Sequence, residues 1–319
     1  MALTIKKWLT QAKTLVNPLD AELILTNVFK ASDRTFLVSH SEKILSAEER
    51  QVADKMLTLR AVKVPLAYIT SEKWFYGHKF KVTPDVLIPR PETEQMVETT
   101  IDLYNMLATR IVIRYEEAVK ARIGVIEPSW PDNPNVKEEL EKIKEEILSP
   151  VMIFDVGTGS GCAAISVGLE CVHAQVLALD ISEPALKVAR ENKAKLKAEN
   201  VVFALSDLLD RISDSAPVPD IIMANLPYVD RDWEWSSPEI EYEPSIALFA
   251  ERNGLALIYK LMRQIKQKWP ALFEDKKRNH QKFLVLESDI SQQERIIRYA
   301  RRSGFSLVKK QGLITCFEY

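Results

Sequence analysis

Glycine is scarce, nine in 319 residues, so any cluster of glycines needs a local reason. The three cysteines, Cys162, Cys171 and Cys316, are an odd number without metal-ligand spacing, which argues against a disulfide framework and for a reducing compartment. Four scattered histidines add no metal signature, and no metal is expected. No apolar run is long enough to cross a bilayer, so no membrane association is expected. The first residues already pattern as an amphipathic helix, with Ile5, Trp8, Leu9, Ala12 and Leu15 on one face. No cleavable leader is therefore expected, and a cytoplasmic location is. A strong charge of either sign is missing too, since the formal net charge is −2. That argues against a protein bound mainly by neutralising nucleic-acid phosphates, although a local basic groove stays open.

What is present is an ordinary globular composition, 46% hydrophobic and 28% charged, over a length that suggests two domains. Residues 1–72 carry helical periodicity, and Ser46 followed by Glu49 has the form of a capping box. This small bundle has ten Lys/Arg against seven Asp/Glu up to residue 70, a balance suited to gripping a protein. Residues 73–91, with KWFYGHKF and several prolines, read as a β-hairpin linker. A second domain, 92–319, begins with helix, breaks at IEPSWPDNPN (126–135), and returns to helix at VKEELEKIKEEIL. From residue 151 the runs VMIFDV, QVLALD, VVFAL, DIIMAN and FLVLE alternate with helix-length amphipathic stretches. Such alternation predicts an α/β fold with a parallel sheet covered on both faces. FSLVKK and LITCFEY, separated by Gln311-Gly312, read as a terminal antiparallel hairpin at one edge.

The first strand of that sheet runs into DVGTGSG, where Gly157, Gly159 and Gly161 permit a sharp turn and close approach of a ligand. The spacing is G-x-G-x-G with Asp155 just before it, which suits S-adenosylmethionine better than a dinucleotide, because a carboxylate attracts its cationic end and repels a pyrophosphate. Asp180 closes the second strand, where it can accept from two ribose hydroxyls, and Asp207 follows the third, where it can accept from an adenine amino group. Thr158, Ile181 and Leu208 are neighbours expected to complete the site. Each aspartate alone reads as a helix or turn cap. Together, at successive strand ends, they read as a nucleoside site.

The fourth strand ends in Asn225-Leu226-Pro227-Tyr228. An amide or exocyclic amine is a poor nucleophile because its nitrogen lone pair is delocalised. The Asn225 side-chain oxygen and the Leu226 carbonyl could accept both of its N–H bonds and aim the lone pair at a methyl donor, while Tyr228 lies against the flat acceptor. In isolation the tetrapeptide also fits a strand-ending turn.

DVGTGSG and NLPY, together with VTPDVLIPRPETE, PLAYIT, KWFYGHKF and YEPSIALFAERNGL, resemble the release-factor glutamine N5-methyltransferases, the PrmC/HemK family. The resemblance spans nearly the whole chain. It implies a Rossmann-like class I methyltransferase sheet, mostly parallel with an antiparallel C-terminal hairpin, behind a helical substrate-recognition domain. It implies S-adenosylmethionine as methyl donor, with S-adenosylhomocysteine as product, and the glutamine of a release factor's Gly-Gly-Gln loop as acceptor. A monomer without direct nucleic-acid contact is expected. By position, Arg90 and Glu92 are expected to shape the substrate pocket and Glu243 and Pro244 to border its channel; Arg90 could instead pair with Glu92 or Glu94 at the surface.

Three features depart from the family pattern. Leu226 stands where a first proline is usual, but it precedes Pro227 and is thereby held near extended geometry. The helices of about 103–150 form an insertion, and the C-terminal hairpin lacks an arginine after its glycine. NLPY also resembles ribosomal RNA adenine-N6 methyltransferases, against which the near-neutral charge and IPRPETE both count. The Leu226 departure leaves room for a third reading, a non-catalytic methyltransferase-like binding module.

Overall fold

A computed structural model of the chain describes residues 3–123, 133–233, 238–274 and 281–319. Five helices come first: α1 (Ile5–Ala12), α2 (Pro18–Val28), α3 (Thr35–Ser39), α4 (Ala47–Ala61) and α5 (Leu66–Thr70). They enclose their own core of Ile5, Trp8, Ile24, Leu25, Leu37 and Leu57. Trp8, although buried, keeps its indole N–H satisfied by donating to Asp54 Oδ1 at 2.8 Å. The Ser46–Glu49 spacing closes as a capping box that starts α4, with bonds of 3.0 and 2.7 Å.

The hairpin that follows, β1 (Glu72–Phe75) and β2 (His78–Lys81), turns on Tyr76 and Gly77, whose φ values of 46° and 73° are both positive, as a tight two-residue turn requires. Tyr76 pays the steric cost there that Gly77 avoids, and its N–H donates to Glu94 Oε1 at 2.8 Å. The paired strands end at Lys81. Beyond them the chain to Arg90 forms no strand, since Pro84, Pro89 and Pro91 have no N–H to give a ladder. A short 3₁₀ turn, Pro91–Thr93, leads into α6 (Glu94–Arg122), whose first turns bury Met96, Val97 and Thr100. The break expected at 126–135 lies largely outside the described residues. α7 (Pro134–Ile147) returns against α6, with Arg122 paired to Glu139 and Glu146.

The remaining elements are β3 (Met152–Val156), α8 (Cys162–Glu170), β4 (Gln175–Asp180), α9 (Glu183–Leu196), β5 (Val201–Leu205), β6 (Ile221–Ala224), α10 (Ser245–Leu248), α11 (Ala256–Lys268), α12 (Ala271–Glu274), β7 (Phe283–Glu287), α13 (Ile290–Ser303), β8 (Ser306–Gln311) and β9 (Ile314–Glu318). Seven strands form one sheet in the order β5-β4-β3-β6-β7-β9-β8, parallel through β7 and antiparallel at β9 and β8. Alternate residues supply two cores. Ile153, Val176, Met223 and Val285 face α6 and α8, whereas Phe154, Leu179, Ile222 and Leu284 face α11 and α13. This burial on both faces is why the strands read as continuous apolar runs.

The chain leaves β3 toward β4 and β5, then returns to the other side of β3 at β6. The order therefore reverses between β3 and β6, and a crevice opens beyond their carboxyl ends. Among the described residues, no helix is long and apolar enough to cross a membrane.

Candidate active site

A cavity of ≈ 250 Å³ lies at that reversal, lined by the glycine loop, the ends of β4 and β6, and the segment Asp85–Thr93. Gly157, Gly159 and Gly161 all have positive φ, from 55° to 82°. An L-residue pays roughly 1–2 kcal/mol for that conformation. Gly157 is needed for space as well, because a Cβ there would stand 3.1 Å from Leu226 Cδ2 and 3.7 Å from the Asn225 carbonyl oxygen. A side chain on the loop would therefore press on the Leu226 methyl, while the Asn225 carbonyl stays at ordinary contact distance.

The three aspartates take different stations. Asp155 is 2% exposed and accepts from the Thr158 hydroxyl at 2.7 Å. Burial, with the Asp180 charge adding, pushes its carboxyl up to about 7. Asp180 accepts from the Gly159 N–H at 2.8 Å and from the Ser182 N–H at 2.9 Å, so it ties the glycine loop to the start of α9. Burial raises its pKa against those two bonds, and a carboxylate has lone pairs left for a further donor. Asp207 forms an ion pair with Lys260 at 2.7 Å, a partner on α11 that no local pattern announced. Thr158, Ile181 and Leu208 line the same cavity.

At the far end Asn225, Leu226 and Pro227 line the cavity, and Tyr228 does not. The Tyr228 hydroxyl points at Glu287 Oε1, 3.4 Å away, and its carbonyl accepts from Gln292 Nε2 at 2.7 Å. Asn225 Nδ2 donates to Thr93 Oγ1 at 3.0 Å. Arg90 also lines the cavity, but it pairs with Glu243 at 2.5 Å, not with Glu92 or Glu94. Glu243 is 7% exposed and takes the Ile88 N–H on its other oxygen at 3.1 Å, so it clamps the IPRPETE segment over the pocket. Glu92 is exposed and Pro244 half-buried, and neither lines the cavity; Ile246 and Ala247, close to Pro244 in the chain, do.

Four contributors escaped the sequence reading: Thr93, Ser160, Lys260 and Glu287. Glu287 carried a usable signal, since it closes an apolar strand just as Asp155, Asp180 and Asn225 do. Thr93 lies inside IPRPETE, but its partner Asn225 is 132 positions away and no local pattern marks its hydroxyl. Lys260 and Ser160 carried none.

The donor set suits a nucleoside joined to a cationic amino-acid group. Carboxylates at three strand ends offer acceptors to hydroxyls, an amine and an ammonium, and the Ser160 hydroxyl is buried in the cavity lining without a hydrogen-bond partner. Residues 149–279 match a methyltransferase domain, and residues 4–70 match the PrmC N-terminal domain. Among solved structures, the hMettl16 catalytic domain is 12% identical with a TM-score of 0.48, covering 91% of this chain and 93% of that one, a likeness too loose to bear on function. A release factor glutamine methyltransferase of Koribacter versatilis (strain Ellin345) is 33% identical over 264 residues, 81% of this chain and 78% of the relative. Another, of Neisseria gonorrhoeae (strain ATCC 700825 / FA 1090), is 35% identical over 260 residues with the same two coverages. Identity at that level, spread over most of both lengths and carried on a methyltransferase sheet, means that the chain belongs to the release factor glutamine methyltransferase family.

Proposed function

We propose that this chain transfers the methyl group of S-adenosylmethionine to the side-chain amide nitrogen of the glutamine in a release factor's Gly-Gly-Gln loop. The observation that carries the reading is the meeting of Asn225 and Leu226 with the glycine loop in one cavity, at the point where Gly157 turns with positive φ.

In this reading Asp180 receives the ribose hydroxyls, Asp207 and Leu208 border the adenine, and Asp155 with the Thr158–Gly161 turn holds the amino-acid end. When bound, the cofactor supplies an electrophilic methyl carbon on a sulfonium. Asn225 Oδ1 and the Leu226 carbonyl accept the two N–H bonds of the glutamine amide, and Pro227 keeps Leu226 extended so that its carbonyl holds direction. Transfer would give the amide nitrogen the methyl group and the positive charge that the donor gives up. One amide proton is then lost to solvent, so no strong base is required. Positioning in the cavity carries the rate, and Arg90, held by Glu243, guards the substrate side.

The helices of residues 1–72 serve as the grip on the release factor. Arg60, held within this module by Asp20 at 2.7 Å, joins it to the segment Pro238–Tyr242 through Glu239 at 2.6 Å, and the Tyr242 hydroxyl donates to the Val62 carbonyl at 2.9 Å.

Purified enzyme offered radiolabelled methyl donor, with release factor in one reaction and ribosomal RNA in another, tests the proposal. Label in the release factor alone is expected. Label in the RNA alone would overturn the substrate, and donor binding without label in either would make this a binding module.

A further inference from the structure

Asn225 can serve a substrate amide only with its own carboxamide the right way round. Oδ1 must face the cavity and Nδ2 must face the protein, yet the two ends have nearly the same shape, so the groups behind them decide the orientation. Thr93 is one of those groups, accepting from Nδ2 at 3.0 Å. A hydroxyl donates as readily as it accepts, so Thr93 alone would permit either orientation.

Glu287 is the other. Ala224 pairs with Leu286 in the sheet, which sets Asn225 and Glu287 side by side at the ends of neighbouring parallel strands. Glu287 is 1% exposed, its Oε1 lies 3.4 Å from the Tyr228 hydroxyl, and its Oε2 is buried without a hydrogen-bond partner. The polar groups of Thr93, Tyr228 and Asn225 face it and favour its charged form. An ionised carboxylate only accepts. It draws the Thr93 hydroxyl hydrogen toward itself and leaves the Thr93 lone pairs to Nδ2. A protonated carboxyl instead donates, which turns the Thr93 hydroxyl toward the asparagine and favours the inverted amide.

We propose that Glu287, acting through Thr93, sets which end of the Asn225 carboxamide faces the substrate, so that the acceptor site is competent when Glu287 is ionised and inverted when it is neutral. Glu287 and Thr93 are positioning residues in this scheme, which rests on the role given to Asn225 above.

Burial, with the Glu92 charge adding, pushes the Glu287 carboxyl up to about 7, so the switch falls near neutral pH. The other charged or titratable groups around it are Glu92, Tyr228, Cys162, and, through Tyr228, Arg90 and Asp289. Cys162 is pushed up to about 12 and Tyr228 is raised as well, so neither titrates beside it. Asp155, at the cofactor end, does titrate near 7, and a Glu287 variant separates the two contributions.

The experiment is side-chain amide NMR of full-length protein with ¹⁵N-labelled asparagine, saturated with S-adenosylhomocysteine, from about pH 6 to about pH 9. Loss of one signal pair in Asn225→Asp identifies Asn225. Its NH₂ pair should titrate near pH 7 in wild type and stay fixed in Glu287→Gln, and a pair unmoved in wild type, or moved equally in the variant, overturns the proposal. With release factor as substrate, Glu287→Gln and Thr93→Val should each lower kcat about tenfold or more while cofactor Kd stays within about twofold, and Thr93→Ser should recover most of the loss. Glu287→Gln should also lose its share of the acid limb of kcat, whereas an unchanged kcat and pH profile would overturn the proposal. Wild-type enzyme that never methylates release factor would sink the substrate assignment alone, because the NMR titration needs no substrate. Were Glu287→Gln not to fold, the wild-type titration and the Thr93 pair still decide.

Discussion

The glycine-loop end of the cavity and the Asn225 end differ in how far apart in the chain their parts lie. At the first, Asp155 bonds to Thr158 three residues away, and Asp180 bonds to Ser182 two residues away and to Gly159 twenty-one away. At the second, Asn225 meets Thr93 across 132 positions, and Arg90 meets Glu243 across 153. The near-neighbour end is a cradle of backbone turns and carboxylates formed by consecutive elements, from β3 through α8 and β4 to the start of α9. The far end exists only once the sheet, the IPRPETE segment and the α10 region have come together. Binding and chemistry should therefore separate under mutation along this line.

The largest expected effect falls at the far end. Asn225→Ala removes the acceptor that orients the amide, and kcat should fall by about 10²–10³ or more while cofactor Kd measured by calorimetry stays within about twofold. Turnover at the wild-type rate would erase the distinction between the two ends. Next comes Asp180→Ala, at the near end. A charged hydrogen-bond partner is worth about 1.5–3 kcal/mol, so cofactor Kd should rise roughly 10- to 100-fold, with kcat at saturation less affected. Unchanged affinity would remove Asp180 from the ribose site.

The smallest effect sharpens the comparison by pH. Asp155 has its carboxyl raised to about 7, so it is neutral below that value and charged above it. Because the cofactor's amino-acid end is cationic, cofactor affinity should strengthen as pH rises through 7 and weaken below it, by at most about tenfold per pH unit. Asp155→Asn should flatten that dependence, and a flat wild-type profile would detach Asp155 from the cofactor's charge.

Legibility in the sequence followed the same division. The sheet strands lie within a residue or two of the segments read for them, and the central β3, β6 and β7 stand out most plainly because burial on both faces leaves no long polar interruption. Gly157, Asp155 and Asp180 stood out because glycine spacing and strand-end carboxylates are local patterns. The hairpin was read too long, since the aromatic and proline-rich texture that marks a strand boundary also marks an unpaired segment. Arg90 lines the cavity as its motif suggests, but its partner Glu243 is not legible, because sequence shows only Glu92 and Glu94 next to it. Thr93 has no local mark, and the strand-end position of Glu287 does not show its partners: a buried hydroxyl and a buried carboxyl gain their meaning from each other and from Asn225, and none of the three lies near another in the chain.

The central claim is that Asn225 and Leu226 present one glutamine amide to the methyl donor. Mass spectrometry of release factor incubated with methyl donor and either wild-type enzyme or Asn225→Ala tests it most directly. The account predicts a single methyl on the glutamine of the Gly-Gly-Gln loop with wild type and none with the variant. A methyl on any other residue, or equal modification by both enzymes, would contradict it.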